Sequence, residues 1–226
     1  MKLYIAIDGP AGAGKSTVAW ELAKRLQIRY LDTGAMYRAL TLKILETGTD
    51  INDETSLKHI LENTQFDIQL DNERLRIFLD GREVTQEIRS SAVNGFVSPV
   101  SAVPMVREAM VAWQKELAQK WGAVVMDGRD IGTCVLPDAK LKIFLDASQQ
   151  ERANRRWKEY QEKGREVTMD EVYEEISGRD KIDSGREVSP LQVAPGAVII
   201  DTTNMKFEEV VDEIAGYARE VDKKVE

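Results

Sequence analysis

Eight residues near the start of the chain constrain its fold more than any other feature. Gly9-Pro10-Ala11-Gly12-Ala13-Gly14-Lys15-Ser16 matches the pattern G-x-x-x-x-G-K-[ST] at every fixed position. An apolar, β-favouring run at residues 3–7 precedes the match, and residues 16–26 follow it with apolar side chains at helical spacing. Strand, glycine-rich loop and helix in this order are typical of a loop that binds phosphate groups through backbone N–H donors.

Each part of this motif has a chemical role in holding ATP. Glycines let the backbone bend so that successive N–H groups point at one anion, and the helix dipole adds positive potential. We expect Lys15 to reach the β- and γ-phosphates and the Ser16 hydroxyl to take a place on Mg²⁺. The motif therefore predicts an ATP-binding segment of nine residues: Gly9, Pro10, Ala11, Gly12, Ala13, Gly14, Lys15, Ser16 and Thr17.

Short apolar runs alternate with long helical patterns along the rest of the chain. The further strand candidates are residues 123–126, 141–145 and 197–200, and the longest helical patterns are 103–121, 148–163 and 207–221. This order predicts an α/β fold with a parallel sheet of the P-loop NTPase type, flanked by helices. Between Phe66 and Val84, apolar and polar residues alternate instead, with turn residues at Asp71-Asn72 and Asp80-Gly81. That pattern predicts a small inserted antiparallel sheet.

Length and composition fit one globular domain. The chain has 226 residues, of which 42% are hydrophobic and 31% charged, as in ordinary proteins with a packed core. We expect a single P-loop kinase domain over residues 1–226. Within it, residues 33–104 are expected to bind the acceptor, with the inserted sheet at about residues 65–85. Residues 150–190, which are rich in arginine, are expected to form a helical lid.

Charge and cysteine content exclude several classes of partner. The 31 basic and 39 acidic residues give a net charge of −8, so the chain is a poor candidate for binding a nucleic-acid backbone. Cys134 is the only cysteine, which excludes an intrachain disulfide and favours a cytoplasmic setting. No stretch is long and uncharged enough to cross a bilayer. We expect a cytoplasmic monomer with neither nucleic-acid nor membrane partners.

Asp127 is the candidate second ligand for Mg²⁺. It lies at the end of an apolar run, Val125-Met126-Asp127-Gly128, and the carboxyl ends of parallel strands face the ligand crevice. We expect it to hold Mg²⁺ with Ser16, directly or through water. A GTP-dependent switch shares the phosphate-binding loop but usually also carries an N-K-x-D element. The nearest string here, residues 180–183, lacks the asparagine, which disfavours a switch.

Four further blocks resemble those of the bacterial cytidylate kinases. They are Leu31-Asp32-Thr33-Gly34-Ala35-Met36-Tyr37-Arg38, Val106-Arg107-Glu108-Ala109, Asp127-Gly128-Arg129-Asp130-Ile131-Gly132-Thr133, and Arg179-Asp180-Lys181-Ile182-Asp183-Ser184-Gly185-Arg186 followed by Ser189-Pro190-Leu191. The blocks occur in family order, and the resemblance covers essentially the whole chain. The resemblance implies a nucleoside monophosphate kinase that uses ATP and Mg²⁺ to phosphorylate CMP and dCMP.

The resemblance also implies which residues bind the acceptor. The base would be read by Ser98, Arg107 and Asp130; the ribose would be held by Arg179 and Asp183, the phosphate by Arg38, Arg129 and Arg186, and Thr33 would line the pocket. An Asp and an Arg complement the edge of cytosine, whereas uracil has an acceptor in place of the amino group and would leave a buried Asp unpaired. Ser98, beside Pro99, is also typical of a turn.

The lid segment opens with a cluster of arginines, Glu151-Arg152-Ala153-Asn154-Arg155-Arg156. We expect at least one to stabilise charge on the transferring phosphoryl group. The predicted catalytic residues are Lys15, Arg129, Arg152 and Arg156. Ion pairing with Glu151 and Glu159 on a solvated helix face remains an alternative for Arg155 or Arg156.

Two other functions remain open at this point. Another small-molecule kinase, for UMP or shikimate, would share the core and lid but have a different acceptor pocket. A regulatory protein that binds ATP without transferring phosphate would keep the loop, but it would not need arginines on the acceptor side.

Overall fold

A computed structural model describes residues 3–71 and 74–223. Within these residues the strands are β1 (Leu3–Asp8), β2 (Arg29–Asp32), β3 (Phe66–Asp71), β4 (Arg74–Leu79), β5 (Arg82–Glu83), β6 (Ala123–Gly128), β7 (Leu141–Asp146) and β8 (Val198–Asp201). The α-helices are α1 (Lys15–Leu26), α2 (Thr33–Thr47), α3 (Glu54–Glu62), α4 (Ser91–Ala102), α5 (Pro104–Trp121), α6 (Gln149–Glu162), α7 (Met169–Gly185) and α8 (Phe207–Lys223). A 3₁₀ turn at Glu87–Arg89 and a π-helical turn at Ile131–Val135 complete the assignment.

The chain divides into two compact units. The first contains the described residues up to Asp32 and from Gln114 onward, and the second is Thr33–Trp113. Helix α5 begins in the second unit and ends in the first. The second unit contains the segment predicted to bind the acceptor, residues 33–104. No helix in the described part of the chain is long and apolar enough to cross a membrane.

A parallel sheet forms the centre of the first unit, as predicted. Its strand order is β2-β6-β1-β7-β8, and every neighbouring pair is parallel. Ile5, Ile7, Val124 and Val125 are fully buried, because helices cover both faces of the central strands. The strands predicted around residues 3–7, 123–126, 141–145 and 197–200 are confirmed within two residues. The short edge strand β2 is not predicted, since Arg-Tyr-Leu-Asp shows neither alternation nor a long apolar run.

An antiparallel sheet forms in the second unit, in the order β3-β4-β5, and confirms the predicted insertion. Asp80 and Gly81 join β4 to β5 with φ of 51° and 81°, the positive values that a two-residue type I′ hairpin requires. Ile77 and Leu79 of β4 are buried in a cluster with residues of α2 and α4. The other predicted turn, Asp71-Asn72, lies partly outside the described residues.

Helices α6 and α7 occupy the predicted lid segment. They pack on each other through a small apolar cluster that includes Ala153, Tyr160, Val172 and Ile176. The Thr168 side chain accepts from the Glu171 N–H and Glu171 in turn accepts from the Thr168 N–H, a capping box that fixes the start of α7. Helix α7 therefore has a defined start, and an apolar cluster joins it to α6, the helix that contains Arg152, Arg155 and Arg156.

Candidate active site

The glycine-rich loop runs from the end of β1 to the start of α1. Gly9 has a φ of 151°, and a Cβ there would lie 2.0 Å from the carbonyl oxygen of Leu145. Gly12 has a φ of 77°, and a Cβ there would lie 2.9 Å from the carbonyl oxygen of Arg152. Both positions therefore require glycine, because the loop approaches the backbone of β7 and α6 too closely for a side chain.

Lys15 and Ser16 form the first turn of α1. Lys15 is buried, and its Nζ donates a hydrogen bond of 2.6 Å to the carbonyl oxygen of Pro10. Burial, followed by the positive charge of Arg129, lowers the pKa of Lys15 well below its usual value. A nearby phosphate would oppose that shift, since it favours the ammonium form. Ser16 is exposed on a turn whose backbone N–H groups have no intrahelical acceptors.

Asp127 lies directly beside this turn. It belongs to β6, the neighbour of β1 in the sheet, and its Oδ2 accepts a hydrogen bond of 2.7 Å from the Ser16 hydroxyl. Its Oδ1 accepts a hydrogen bond of 2.8 Å from the Tyr30 hydroxyl. Burial, followed by the negative charge of Asp32, raises the pKa of Asp127, whereas its two hydrogen-bond donors and Lys15 lower it.

The Ser16–Asp127 pair has the chemistry of a magnesium site. A hydroxyl that donates its one proton to a carboxylate keeps its lone pairs for a metal ion. Mg²⁺ prefers oxygen ligands and is usually held by one or two carboxylates together with substrate phosphates. The Ser16 hydroxyl and the Asp127 carboxylate therefore supply two oxygen ligands of the kind that Mg²⁺ takes in proteins. In residues 3–71 and 74–223, no group of three or more His, Cys, Asp or Glu side chains could hold a metal ion.

Asp8, the last residue of β1, accepts hydrogen bonds from backbone N–H groups rather than from a side chain of the glycine-rich loop. Its Oδ1 accepts from the Ile131 N–H at 2.8 Å and its Oδ2 from the Gly132 N–H at 2.7 Å. Burial raises the pKa of Asp8 to about 6 despite these two hydrogen bonds. Asp8 thereby anchors the π-helical turn that follows Asp130. Asp130 itself is also buried, and its role in reading the base stays a prediction.

Arg152 is hydrogen-bonded to the glycine-rich loop. Its Nη1 donates to the carbonyl oxygen of Ala11 at 2.9 Å and to Asp180 at 2.6 Å, and its Nε donates to the carbonyl oxygen of Ala147 at 2.9 Å. Asp180, in α7, also accepts from the Ala11 N–H at 3.2 Å. The guanidinium is therefore fixed on one edge. Its Nη2 makes no hydrogen bond to the residues that the structure describes.

The other two arginines of α6 have partners further from the loop. Arg155 pairs with Glu151 at 2.9 Å and donates to the hydroxyl and carbonyl oxygens of Thr202 at 3.0 and 2.6 Å. Arg156 pairs with Glu159 at 3.0 Å, and its guanidinium lies 4.9 Å from the centroid of the Tyr160 ring. These ion pairs of Arg155 and Arg156 with glutamate are the ones that the helical spacing predicts as an alternative to a catalytic role. A catalytic role for Arg156 stays a prediction.

Asp183 joins two arginines that were predicted to bind the acceptor phosphate. Arg129 donates from Nε to Oδ2 at 2.7 Å, and Arg186 donates to Oδ1. Burial would raise the pKa of Asp183, but the charges of Arg129 and Arg186 hold it below its usual value. Arg179 lies one turn earlier in α7, whereas Arg186 follows the end of that helix rather than continuing it.

The second unit contains the four remaining residues predicted to bind the acceptor, which lie in α2, α4 and α5: Thr33, Arg38, Ser98 and Arg107. Arg107 is only 1% exposed, donates from Nη1 to the carbonyl oxygen of Ser101 at 3.1 Å, and lies 5.6 Å from the centroid of the Tyr37 ring. Ser98 is buried within a helix that continues through Pro99, not in the turn that its sequence context suggests.

Three polar residues next to the predicted ones are missed by the sequence reasoning: Asp8, Tyr30 and Asp180. Asp8 has the same signal as Asp127, an acidic residue at the end of an apolar strand. Asp180 lies inside one of the family-like blocks, but nothing in the spacing shows that it faces the glycine-rich loop. Tyr30 has no signal, because its strand is itself not predicted.

Comparison with known proteins extends the resemblance over nearly the whole sequence. Residues 5–220 match the family described as cytidylate kinase. A cytidylate kinase from Caldanaerobacter subterraneus subsp. tengcongensis is 54% identical over 214 residues, which cover 95% of this chain and 93% of that protein. One from Bacillus pumilus is 52% identical over 222 residues, with 98% of each chain covered.

Among solved structures, an uncharacterized protein from Eubacterium ventriosum has a TM-score of 0.53 to this chain at 13% sequence identity. The match covers 97% of this chain and 99% of that one. At this level of identity the likeness concerns the fold alone.

Proposed function

Because the chain belongs to the cytidylate kinase family, we propose that it transfers the terminal phosphoryl group of ATP to CMP and dCMP. The products are ADP and CDP or dCDP, so the enzyme serves pyrimidine nucleotide metabolism. One observation carries the proposal beyond family membership. The Ser16 hydroxyl of the phosphate-binding loop donates to Asp127 at 2.7 Å, which puts two magnesium-type ligands beside the loop.

The donor ATP binds along residues Gly9 to Thr17. Backbone N–H groups of the loop and of the first turn of α1 face the phosphates, and the helix dipole favours their negative charge. Lys15 leaves the carbonyl oxygen of Pro10 and pairs with the β- and γ-phosphates. Ser16 and Asp127 would hold Mg²⁺, directly or through water, and the ion would supply positive charge that offsets the charge of the phosphates.

The acceptor phosphate is bound by Arg38, Arg129 and Arg186. Arginine suits this role because its planar guanidinium can donate two parallel hydrogen bonds to a phosphate. Asp183 forms ion pairs with both Arg129 and Arg186. Binding of the acceptor phosphate then lets Asp183, together with Arg179, hold the ribose hydroxyls.

The cytosine base is read by Ser98, Arg107 and Asp130, and Thr33 lines the same pocket. A carboxylate accepts from the exocyclic amino group of cytosine. Uracil presents an acceptor there, so a buried Asp130 would face it unpaired. A site built around such a hydrogen bond can reject the wrong base strongly.

Transfer is a direct in-line displacement at the γ-phosphorus by an oxygen of the acceptor phosphate. Positioning and neutralisation of charge are sufficient for this reaction, and no covalent intermediate on the protein is needed. Lys15, Arg129 and Arg152 supply most of the positive charge. Arg156 has to exchange Glu159 for phosphate before it can contribute, so its share is smaller. Closure of residues 150–190 excludes water and suppresses hydrolysis of ATP.

We also propose that the enzyme acts as a monomer in the cytoplasm. The lone cysteine supports a reducing compartment, and the net charge of −8 disfavours a nucleic-acid partner. Sedimentation of the purified protein with and without nucleotides tests the oligomeric state.

The function is tested by measuring ADP production from ATP and Mg²⁺ with CMP, dCMP, UMP, AMP, GMP and shikimate supplied separately. Strong turnover with CMP and dCMP, and much weaker turnover with UMP, is expected. Preference for another acceptor would contradict the assignment of the base pocket. Tight ATP binding without any acceptor-dependent turnover would contradict the kinase assignment itself.

A further inference from the structure

Tyr30 is a buried residue of β2 that none of the roles above includes. In the parallel register Tyr30 lies opposite Val125, and Asp32 lies opposite Asp127. Val125 and Asp127 are two apart in β6 and point to the same face of the sheet, and Tyr30 lies on that face beside Val125. The long side chain of Tyr30 reaches the two residues further to Asp127, where its hydroxyl donates to Oδ1 at 2.8 Å.

The carboxylate of Asp127 is held at both oxygens by different elements. Oδ2 accepts from Ser16 at the start of α1, and Oδ1 accepts from Tyr30 in the edge strand. Asp127 is buried, whereas Ser16 is exposed, so the carboxylate lies behind the hydroxyl as seen from solvent. Two hydrogen bonds, one at each oxygen, fix the plane of the carboxylate, whereas a single hydrogen bond fixes a point but not a plane.

The tyrosine is well suited to this task. A neutral tyrosine hydroxyl carries one proton, which it can donate to a carboxylate oxygen. Its ring packs edge-on against Trp20 of α1, with ring centroids 5.7 Å apart. The hydroxyl is therefore aimed by packing on one side and by the carboxylate on the other.

We propose that Tyr30 is a positioning residue of the magnesium site, which it serves by fixing the plane of the Asp127 carboxylate through the hydrogen bond to Oδ1. The inference rests on the proposed function for the identity of the ion, but not on the identity of the acceptor. Tyr30 touches neither nucleotide nor metal in this account. Groups that orient a metal ligand commonly matter for metal affinity nearly as much as the ligand does.

The test compares Tyr30→Phe with Tyr4→Phe by the affinity of each variant for ADP, measured in excess Mg²⁺ and again in EDTA. Tyr4 is a matched control because its hydroxyl is buried in β1 with no hydrogen-bond partner among the described residues. Both changes remove one oxygen and keep the ring, so both variants are expected to fold. The readout is the ratio of the two affinities, which isolates the contribution of the metal ion.

For Tyr30→Phe the enhancement of ADP binding by Mg²⁺ is expected to fall about tenfold, with little change in EDTA. For Tyr4→Phe the enhancement should stay at the wild-type value. In an Asp127→Ala background, Tyr30→Phe should have no further effect, because its only route to the metal is lost. An unchanged enhancement in Tyr30→Phe, or an equal loss with and without Mg²⁺, would overturn the proposal.

These outcomes are separable from failure of the proposed function. ADP binding needs no acceptor, so the comparison can be made even on a protein that does not phosphorylate CMP. A wild-type protein with Mg²⁺-enhanced ADP binding and no CMP turnover would contradict the kinase assignment but leave the role of Tyr30 standing.

Discussion

The phosphate-binding loop and the helix pair α6–α7 hold their polar groups in different ways. In the loop, the groups predicted to meet phosphate are backbone N–H donors, a buried lysine and a serine on the first turn of α1. In the helix pair they are arginine side chains, and the predicted ones have carboxylate partners: Arg152 with Asp180, Arg156 with Glu159 and, beyond α7, Arg186 with Asp183.

This difference separates a preformed part of the site from an exchangeable one. The loop backbone is shaped by glycine geometry and by close backbone contacts, so we expect a bound nucleotide to change it little beyond the Lys15 side chain, which exchanges the carbonyl oxygen of Pro10 for phosphate. The arginines of the helix pair already have their charges balanced within the protein. A phosphate must therefore replace a carboxylate partner or bind a guanidinium nitrogen such as Nη2 of Arg152, which makes no hydrogen bond within the part of the chain that the structure describes. We expect variants in the loop to cost more activity than variants in the helix pair.

Lys15→Ala should show the largest effect. Removing the lysine that we propose to pair with the transferring phosphate is expected to lower kcat by about 10²–10³-fold, because positive charge at the reacting group is lost. The measurement is ADP production at saturating ATP and CMP. Lys120→Ala, at an exposed position in α5, is the control and should behave as wild type. Activity of Lys15→Ala close to wild type would contradict the expectation that variants in the loop cost more activity than variants in the helix pair.

A second pair of variants divides the helix region itself. Arg152→Ala is expected to lower kcat by about a hundredfold and Arg156→Ala by about tenfold or less, since only Arg152 hydrogen-bonds to the loop. Each rate is normalised to the folded fraction measured by circular dichroism, because Arg152→Ala also leaves Asp180 without its ion pair. Equal losses, or the reverse order, would show that the hydrogen bonds to the loop do not decide which arginine acts.

The fold and most of the loop could be predicted because they depend on local sequence. Glycine spacing, apolar runs and the Asp80-Gly81 turn each specify a backbone geometry within a few residues. Partners distant in sequence could not be predicted this way. Asp180 and Arg152 are 28 residues apart, and Tyr30 and Asp127 are 97 apart, so each pairing depends on how whole elements pack. The resemblance named Asp183 as a ribose ligand, and the structure adds that Arg129 and Arg186 are its ion-pair partners.

Asp183→Asn tests the charge balance of the exchangeable region through stability. Two half-buried arginines lose the charge of the buried Asp183 carboxylate, and the free energy of unfolding is expected to fall by about 3 kcal/mol at neutral pH. Urea unfolding measures this loss. Glu174→Gln, an exposed change in the same helix, is the control and should leave stability unaltered.

The same variant has a defined dependence on pH. The folded protein holds the pKa of Asp183 below its ordinary value of 3.8. The carboxylate therefore stabilises the fold above that value, and the contribution is lost as the pH falls through the lower pKa of the folded state. The difference between wild type and Asp183→Asn should be constant near neutral pH and shrink below about pH 4. A difference that grows on acidification would contradict this sign.

Tyr160→Phe should have the smallest effect. The hydroxyl donates to Glu175 at 3.0 Å and ties α6 to α7 away from the loop. Its loss is expected to cost about 1 kcal/mol of stability and to leave kcat unaltered. Thermal unfolding measures the stability and ADP production measures kcat, with Tyr217→Phe of α8 as the control. A large fall in kcat would show that the helix pair transmits more to the reaction than its contacts suggest.

Direct transfer to the pyrimidine nucleotide is tested most closely by following the label from [γ-³²P]ATP in the presence of Mg²⁺ and CMP. The account predicts that the label appears in CDP, in amounts equal to the ADP formed, with little free phosphate. Label that appears only as inorganic phosphate, or in CDP at a rate unaffected by Lys15→Ala, would contradict it.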